Sequence, residues 1–252
     1  MGSGQNPRGR IVTTTGYDAR VRALARPVAS ILIGVATAVA IITASVLPFL
    51  TPQWIAFEQG RANATAWTGY ATEELGAATD AILFDLVFGP PDFDVEVNGE
   101  AVLAERERGH MRDVRTVFTG LWLLAGASIV VLLVASLRMD RAVVWRAVRR
   151  GALALAGAVA AIGIVALIAF DALFDLFHRI FFPGGSYTFD PASERLVQLF
   201  PFAFWQETAF VVGLVIVALA LTVAMVAGRR AARGVDGVRT TELATAAGTG
   251  RP

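Results

Sequence analysis

The chain has 252 residues, 55% of them hydrophobic and 17% charged, and its apolar residues fall into four long blocks instead of recurring at the spacing of a soluble helix or strand. That excludes an ordinary soluble domain. A formal net charge of +1 argues against nucleic acid as a partner, because such binders carry a concentrated basic excess, and the absence of cysteine removes disulfides, thiolate nucleophiles and cysteine metal sites together.

Residues 1–25 lack apolar periodicity and read as a disordered tail. A membrane-crossing helix needs about 20 apolar residues, and the first such run is Val28 to Phe49. Arg20, Arg22 and Arg26 precede it as they would a secretory signal, but the apolar stretch exceeds an ordinary signal core, so an uncleaved anchor is expected.

Residues 50–116 are too many for a turn and too few for a large independent core, which predicts a small cap. Within it, Thr72 before Glu73 and Glu74 reads as a helix start, and the helix runs on to Val87. Ile82, Leu83, Leu86 and Val87 share one apolar face suited to the membrane or the bundle. Phe93 to Val97 and Glu100 to Leu103 flank Asn98-Gly99, a strong signal for a two-residue hairpin.

The second span is read at Val117 to Leu137 and the third at Gly151 to Phe170. In the third, small residues recur four apart, as at Gly157 and Ala161, which favours close helix approach and predicts the central helix of the bundle. Residues 171–209 form a second outer segment dense in aromatic residues, from Phe174 to Trp205, as expected of a belt at the lipid headgroups. The fourth span is Phe210 to Ala227, closing a membrane domain over 26–228, and residues 229–252 read as a second disordered tail.

The arginines orient these spans. With both termini cytoplasmic, the inner segments hold fifteen arginines against four acidic residues, and the outer segments seven arginines against seventeen acidic residues. The expected fold class is an all-α membrane protein, a four-helix transmembrane bundle with an extracytoplasmic cap containing a short helix and a β-hairpin.

The chain has two histidines. His110 lies seven residues before the second span and His178 eight residues after the third, so straight helices would carry both rings about 10 to 12 Å beyond the apolar runs. A lipid ester carbonyl sits at that depth. Asp113 stands three residues from His110, and Asp175 and Asp171 stand three and seven before His178. Such spacing sets a carboxylate beside each ring, able to fix its tautomer. Imidazole suits acid and base work in acyl transfer near neutral pH. Two histidines with carboxylates could also bind zinc, but no HExxH or comparable spacing appears, so no metal is expected. Interfacial anchoring and pH sensing are bland alternatives for the same rings. GxSxG is absent, and Ser186 and Ser193 lie in a loop without strand-to-helix context, so the substrate must bring its own nucleophile.

The stretch Glu105 to Val114, with His110-Met111, and the stretch Phe177-His178-Arg179-Ile180-Phe181-Phe182, continuing through Tyr187-Thr188-Phe189-Asp190 to Phe202, resemble the two signature blocks of the bacterial lipoprotein intramolecular transacylase family. The resemblance covers about Pro27 to Ala227. It implies a four-span protein of the bacterial cell membrane with an extracytoplasmic active site, which moves an acyl chain from the sn-2 position of a lipoprotein's diacylglyceryl group to the α-amino group of its N-terminal cysteine. It implies no cofactor, a diacylated lipoprotein and membrane lipid as partners, and a monomer. His110 and His178 become the catalytic pair, with Asp113, Asp175 and Asp171 orienting the rings. Met111, Phe181, Phe182 and Tyr187 would pack on acyl chains, and Arg112 and Arg179 would meet lipid phosphate. Many relatives have Trp where this chain has Tyr187, which bears on substrate identity. A related acyltransferase or hydrolase acting on another lipid ester stays open beside this reading.

Overall fold

The computed structural model describes the backbone of residues 15–248 and the side chains of residues 27–233. The outer parts of both expected tails, residues 1–14 and 249–252, lie outside the described residues. Helix α1 (Thr15–Val46) ends in a 3-10 turn (Leu47–Phe49), followed in the cap by α2 (Pro52–Arg61), α3 (Ala64–Thr68) and α4 (Thr72–Val87). A hairpin of β1 (Glu96–Val97) and β2 (Glu100–Ala101) leads into α5 (Glu105–Arg138). Helix α6 (Arg141–Phe181), the short α7 (Arg195–Leu199) and α8 (Phe202–Gly248) complete the chain. The four helices α1, α5, α6 and α8 are long and apolar enough to cross a membrane, which makes this a multi-pass membrane protein. Helices α1 and α8 run into the segments expected as tails, where Ala, Val and Arg sustain a helix beyond its apolar run.

The hairpin turns on Asn98 and Gly99, both at positive φ (55° and 79°), the conformation a two-residue turn needs to match strand twist. Helix α4 begins one residue differently from expectation. Ala71 is its N-cap, and Glu74 reaches back to accept the Ala71 N–H at 2.8 Å, so Thr72 is the first helical residue instead of the cap. The inner face of α4 turns toward the bundle: Leu75, Ala78 and Ile82 join Phe93, Val102, Leu103, Leu196, Leu199 and Phe204 in one buried cluster. The Gln59 amide, buried beneath this cluster, donates to Thr79 and to the Leu199 carbonyl at 3.0 Å each, so its burial leaves both protons paired.

The centre of the bundle is shared between the third span, in α6, and α1, the most buried of the four spans. Helix α1 packs on α5, α6 and α8, whereas α6 packs on α8 and α1 and only sparingly on α5. The close approach also lies elsewhere than at Gly157 and Ala161. A β-carbon on Gly157 would meet nothing within 4 Å, whereas one on Gly151 would collide with the backbone of Gly34. Glycine on each helix lets the two backbones touch, and that contact locks α1 against α6.

Candidate active site

Helix α5 continues seven residues outward from Val117 to His110, and its first turn is pinned from two directions. Glu107, almost fully buried, accepts the Ala104 N–H at 2.7 Å and the Leu196 N–H at 2.6 Å, capping α5 and holding the start of α7 against it. Arg106 chelates Glu194, donates to the Thr188 carbonyl at 2.7 Å and lies 4.7 Å over the Phe189 ring. The loop from Phe182 to Glu194 is thereby clamped across the outer end of α5.

Helix α6 does not continue straight. It breaks at Ala169 (φ −143°, ψ 40°), where Phe170 meets Phe202 and Phe210 of α8. Neither proline nor glycine marks the break. Beyond it, the outer segment of α6 presents His178 to His110. The two imidazoles lie nearly parallel (22°) with centroids 6.2 Å apart, and Phe182 packs on both, at 4.8 Å from His110 and 5.6 Å from His178. Phe174 and Tyr187 flank His178 at 4.3 and 5.0 Å, and Phe189 flanks His110 at 5.4 Å. The aromatic density of the second outer segment therefore serves mainly to enclose this pair, although Phe177, Phe181 and Phe202 keep about half their surface exposed.

The hydrogen bonds fix tautomers. His178 Nδ1 is 2.7 Å from the Phe174 carbonyl oxygen, which can only accept, so the proton resides on Nδ1 and Nε2 keeps its lone pair. On His110, Nδ1 is 3.5 Å from the Ser186 hydroxyl, which itself donates to Asp113 at 2.8 Å. With the serine proton directed at Asp113, the serine oxygen accepts from His110 Nδ1–H, and Nε2 is again the free nitrogen. Burial is the main reason that the His110 pKa is lowered, to about 4; the neighbouring His178 adds to the shift and Asp113 opposes it.

The expected carboxylate partners are thus corrected in detail. Asp113 acts on His110 through Ser186 instead of directly. Asp175 does not orient His178: its carboxylate pairs with Arg179 at 2.6 Å and accepts from the Tyr187 hydroxyl at 3.4 Å. Asp171 is exposed, two residues beyond the break, and makes no side-chain hydrogen bond among the described residues. Arg112 is held by Glu105 at 2.7 Å, and its hydrogen bond, followed by its charge, keeps the Glu105 carboxyl below the usual carboxylate range. Met111 and Phe182 are buried, while Phe181 packs at a tilt on Phe177 at 4.7 Å. Ser186 and Glu107 were missed as site residues. The first carries no local signal, whereas the second stands at the third position of α5, where a capping carboxylate is expected.

Two cavities meet at the histidines. One, about 270 Å³, is strongly apolar and reaches between α4, α5 and α8, with Ile82, Met111, Val114 and Phe204 on its walls. The other, about 310 Å³, opens under the clamped loop and is lined by Trp67, Tyr187, Phe189 and Pro191. His110, His178, Phe174, Phe200 and Trp205 belong to both. Among the described residues, no three His, Asp or Glu side chains converge as a metal site would need. The pair can therefore exchange protons with a polar group lodged between two apolar chambers.

The fold has solved counterparts. Lipoprotein intramolecular transacylase from Bacillus cereus superposes with a TM-score of 0.63 at 15% identity, covering 86% of this chain and 99% of that one. A histidine-to-arginine variant of the same protein gives 0.64 at 14% identity, covering 90% of this chain and all of the other. No curated protein matches the sequence. The family model described as lipoprotein intramolecular transacylase Lit matches residues 30–205, most of the chain and both histidine segments, and the protein belongs to that family.

Proposed function

We propose that the protein is an intramolecular O-to-N transacylase that moves the sn-2 acyl chain of a lipoprotein's diacylglyceryl group to the α-amino group of its N-terminal cysteine, with His110 and His178 as its catalytic pair. The observation that carries this reading is the ring pair itself, 6.2 Å apart at the junction of two cavities, with Nε2 of each ring free. A lipid ester is a polar centre between hydrocarbon arms, and the two chambers suit such a shape.

Burial holds His110 in its neutral form, ready to take the proton of the attacking amine. The amine nitrogen bonds to the ester carbon, and the carbonyl oxygen gains negative charge. His178, its Nδ1–H held by the Phe174 carbonyl, accepts a hydrogen bond at Nε2 from the remaining N–H of the amine and so orients the nucleophile. As the intermediate collapses, the carbon–oxygen bond to glycerol breaks and His110 returns its proton to the glycerol oxygen. Acyl donor and acceptor belong to one molecule, so proximity supplies much of the rate. The reaction needs neither a cofactor nor a nucleophile from the protein.

In this reading the chain acts as a monomer in the bacterial cell membrane. Both termini are cytoplasmic and the histidines extracytoplasmic, an orientation supported by the arginine asymmetry. Arg179 and Arg112, now paired with carboxylates, are the groups that would exchange those partners for lipid phosphate. Mass spectra of lipoproteins from cells with and without the chain test the reaction class. N-acylated, O-monoacylated cysteine that appears only with the chain supports it. Free fatty acid without N-acylation would make the protein a lipid hydrolase.

A further inference from the structure

A cavity larger than either chamber at the histidines lies away from them, at the opposite end of the bundle. It holds about 710 Å³ and runs between α1, α5, α6 and α8, walled by Ile41, Leu132, Val144, Val148 and Leu219. Its origin is the packing of α5. That helix rests on α1 and departs from α6 after the short turn at Met139 and Asp140, so α1 forms the floor of a cleft that no side chain fills. Within a bilayer, hydrocarbon occupies such a cleft.

The far rim of the cleft is not neutral. Arg141 and Arg230, from α6 and α8, both line it, and Trp145 stands beside them. Neither arginine makes an ion pair among the described residues. The carboxylate adjacent in sequence, Asp140, is engaged at the start of α6, where it accepts the N–H groups of Ala142 and Val143 at 2.8 and 3.2 Å. Two guanidiniums without a carboxylate partner among the described residues, above an acyl-sized apolar cleft, match the charge and shape of an anionic lipid, and basic pockets between transmembrane helices bind such headgroups. The interfacial indole suits the glycerol level.

We infer that this cleft is a binding site for one anionic glycerophospholipid of the leaflet opposite the histidines, its phosphate on Arg141 and Arg230 and an acyl chain in the gap between α5 and α6. The lipid joins α5 to the other three spans. The inference stands independently of the transacylase reading.

The test is native mass spectrometry of the full chain, delipidated in mild detergent and titrated with phosphatidylglycerol or phosphatidylcholine. The wild-type chain retains one phosphatidylglycerol roughly tenfold to thirtyfold more strongly than phosphatidylcholine, the preference expected from two arginines near a phosphate. Arg141→Gln and Arg230→Gln each lose part of that preference, and the double variant loses it. Leu132→Trp fills the cleft and weakens retention of both lipids. His110→Ala leaves the bound lipid in place, which separates this cleft from the chambers at the histidines. Equal retention of the two lipids by the wild-type chain, or an unchanged preference in the double variant, would overturn the inference.

Discussion

At His110 burial keeps the ring neutral and a relay through Ser186 sets its tautomer. Because the folded-state pKa of about 4 lies below the ordinary value near 6.5, the ring is neutral at working pH and penalised when protonated. Its contribution to stability is therefore complete above pH 6.5 and is lost as pH falls from there toward 4. Thermal unfolding of the wild-type chain should move to lower temperature between pH 7 and pH 4.5, and by less in His110→Gln; an equal drop in both proteins would contradict the assignment. Nitrogen NMR of the wild-type chain with labelled histidines, the His110 signals assigned by their loss in His110→Gln, should show that ring titrating near 4 instead of 6.5. Ser186→Ala breaks the link from Asp113 to Nδ1, so kcat should fall about tenfold with KM little changed, and Asp113→Asn should do the same. A drop in KM-dependent binding alone would make Ser186 a substrate contact. The histidines were legible in the sequence because they are two in number and each flanks an apolar run. Ser186 was not, since it reaches its partners from a loop 73 and 76 residues away. Helical spacing correctly brought Asp113 close but misassigned Asp175, because α-helical neighbours of a histidine also neighbour Arg179, and a guanidinium is the stronger partner for a carboxylate.

Among the elements, α1 shares with α6 the central packing that composition assigned to the third span alone. Small residues are abundant in α6, so their periodicity did not single out the one that matters; Gly151 is set apart by what faces it, the backbone of Gly34. Gly151→Leu should lower stability by about 1 to 3 kcal/mol through overpacking, while Gly157→Leu, facing open space, should be nearly neutral. Thermal shifts of the two variants in the same detergent compare them directly, and equal losses would refute the Gly34–Gly151 contact as the lock. The break at Ala169 was also illegible, having no proline or glycine to announce it. It arises at the end of the apolar run, where aromatic contacts with α8 take over from lipid-facing residues, and it aims His178 at its partner. The hairpin turn at Asn98-Gly99 and the bounds of α4, by contrast, were readable, because Asn-Gly turns and acidic first turns act locally, although the paired strands are shorter than expected, Glu96–Val97 and Glu100–Ala101.

For the molecule as a whole, the spans follow from hydrocarbon length, and the proposed orientation rests on arginine placement. The absence of cysteine allows a clean test of the orientation. Glu100→Cys, in the hairpin, should react with a membrane-impermeant maleimide in intact spheroplasts, and Arg138→Cys, at the end of α5, only after lysis; the reverse pattern would invert the proposed topology. The chemistry itself depends on both rings serving one ester. A purified chain given a synthetic diacylated lipopeptide with an isotopic label in the sn-2 acyl group reports on this directly. The account predicts that the label moves to the N-terminal amide, and that His110→Ala and His178→Ala each slow the transfer at least about a hundredfold while remaining folded. Transfer at the wild-type rate in either variant, or release of the label as free fatty acid, would contradict it.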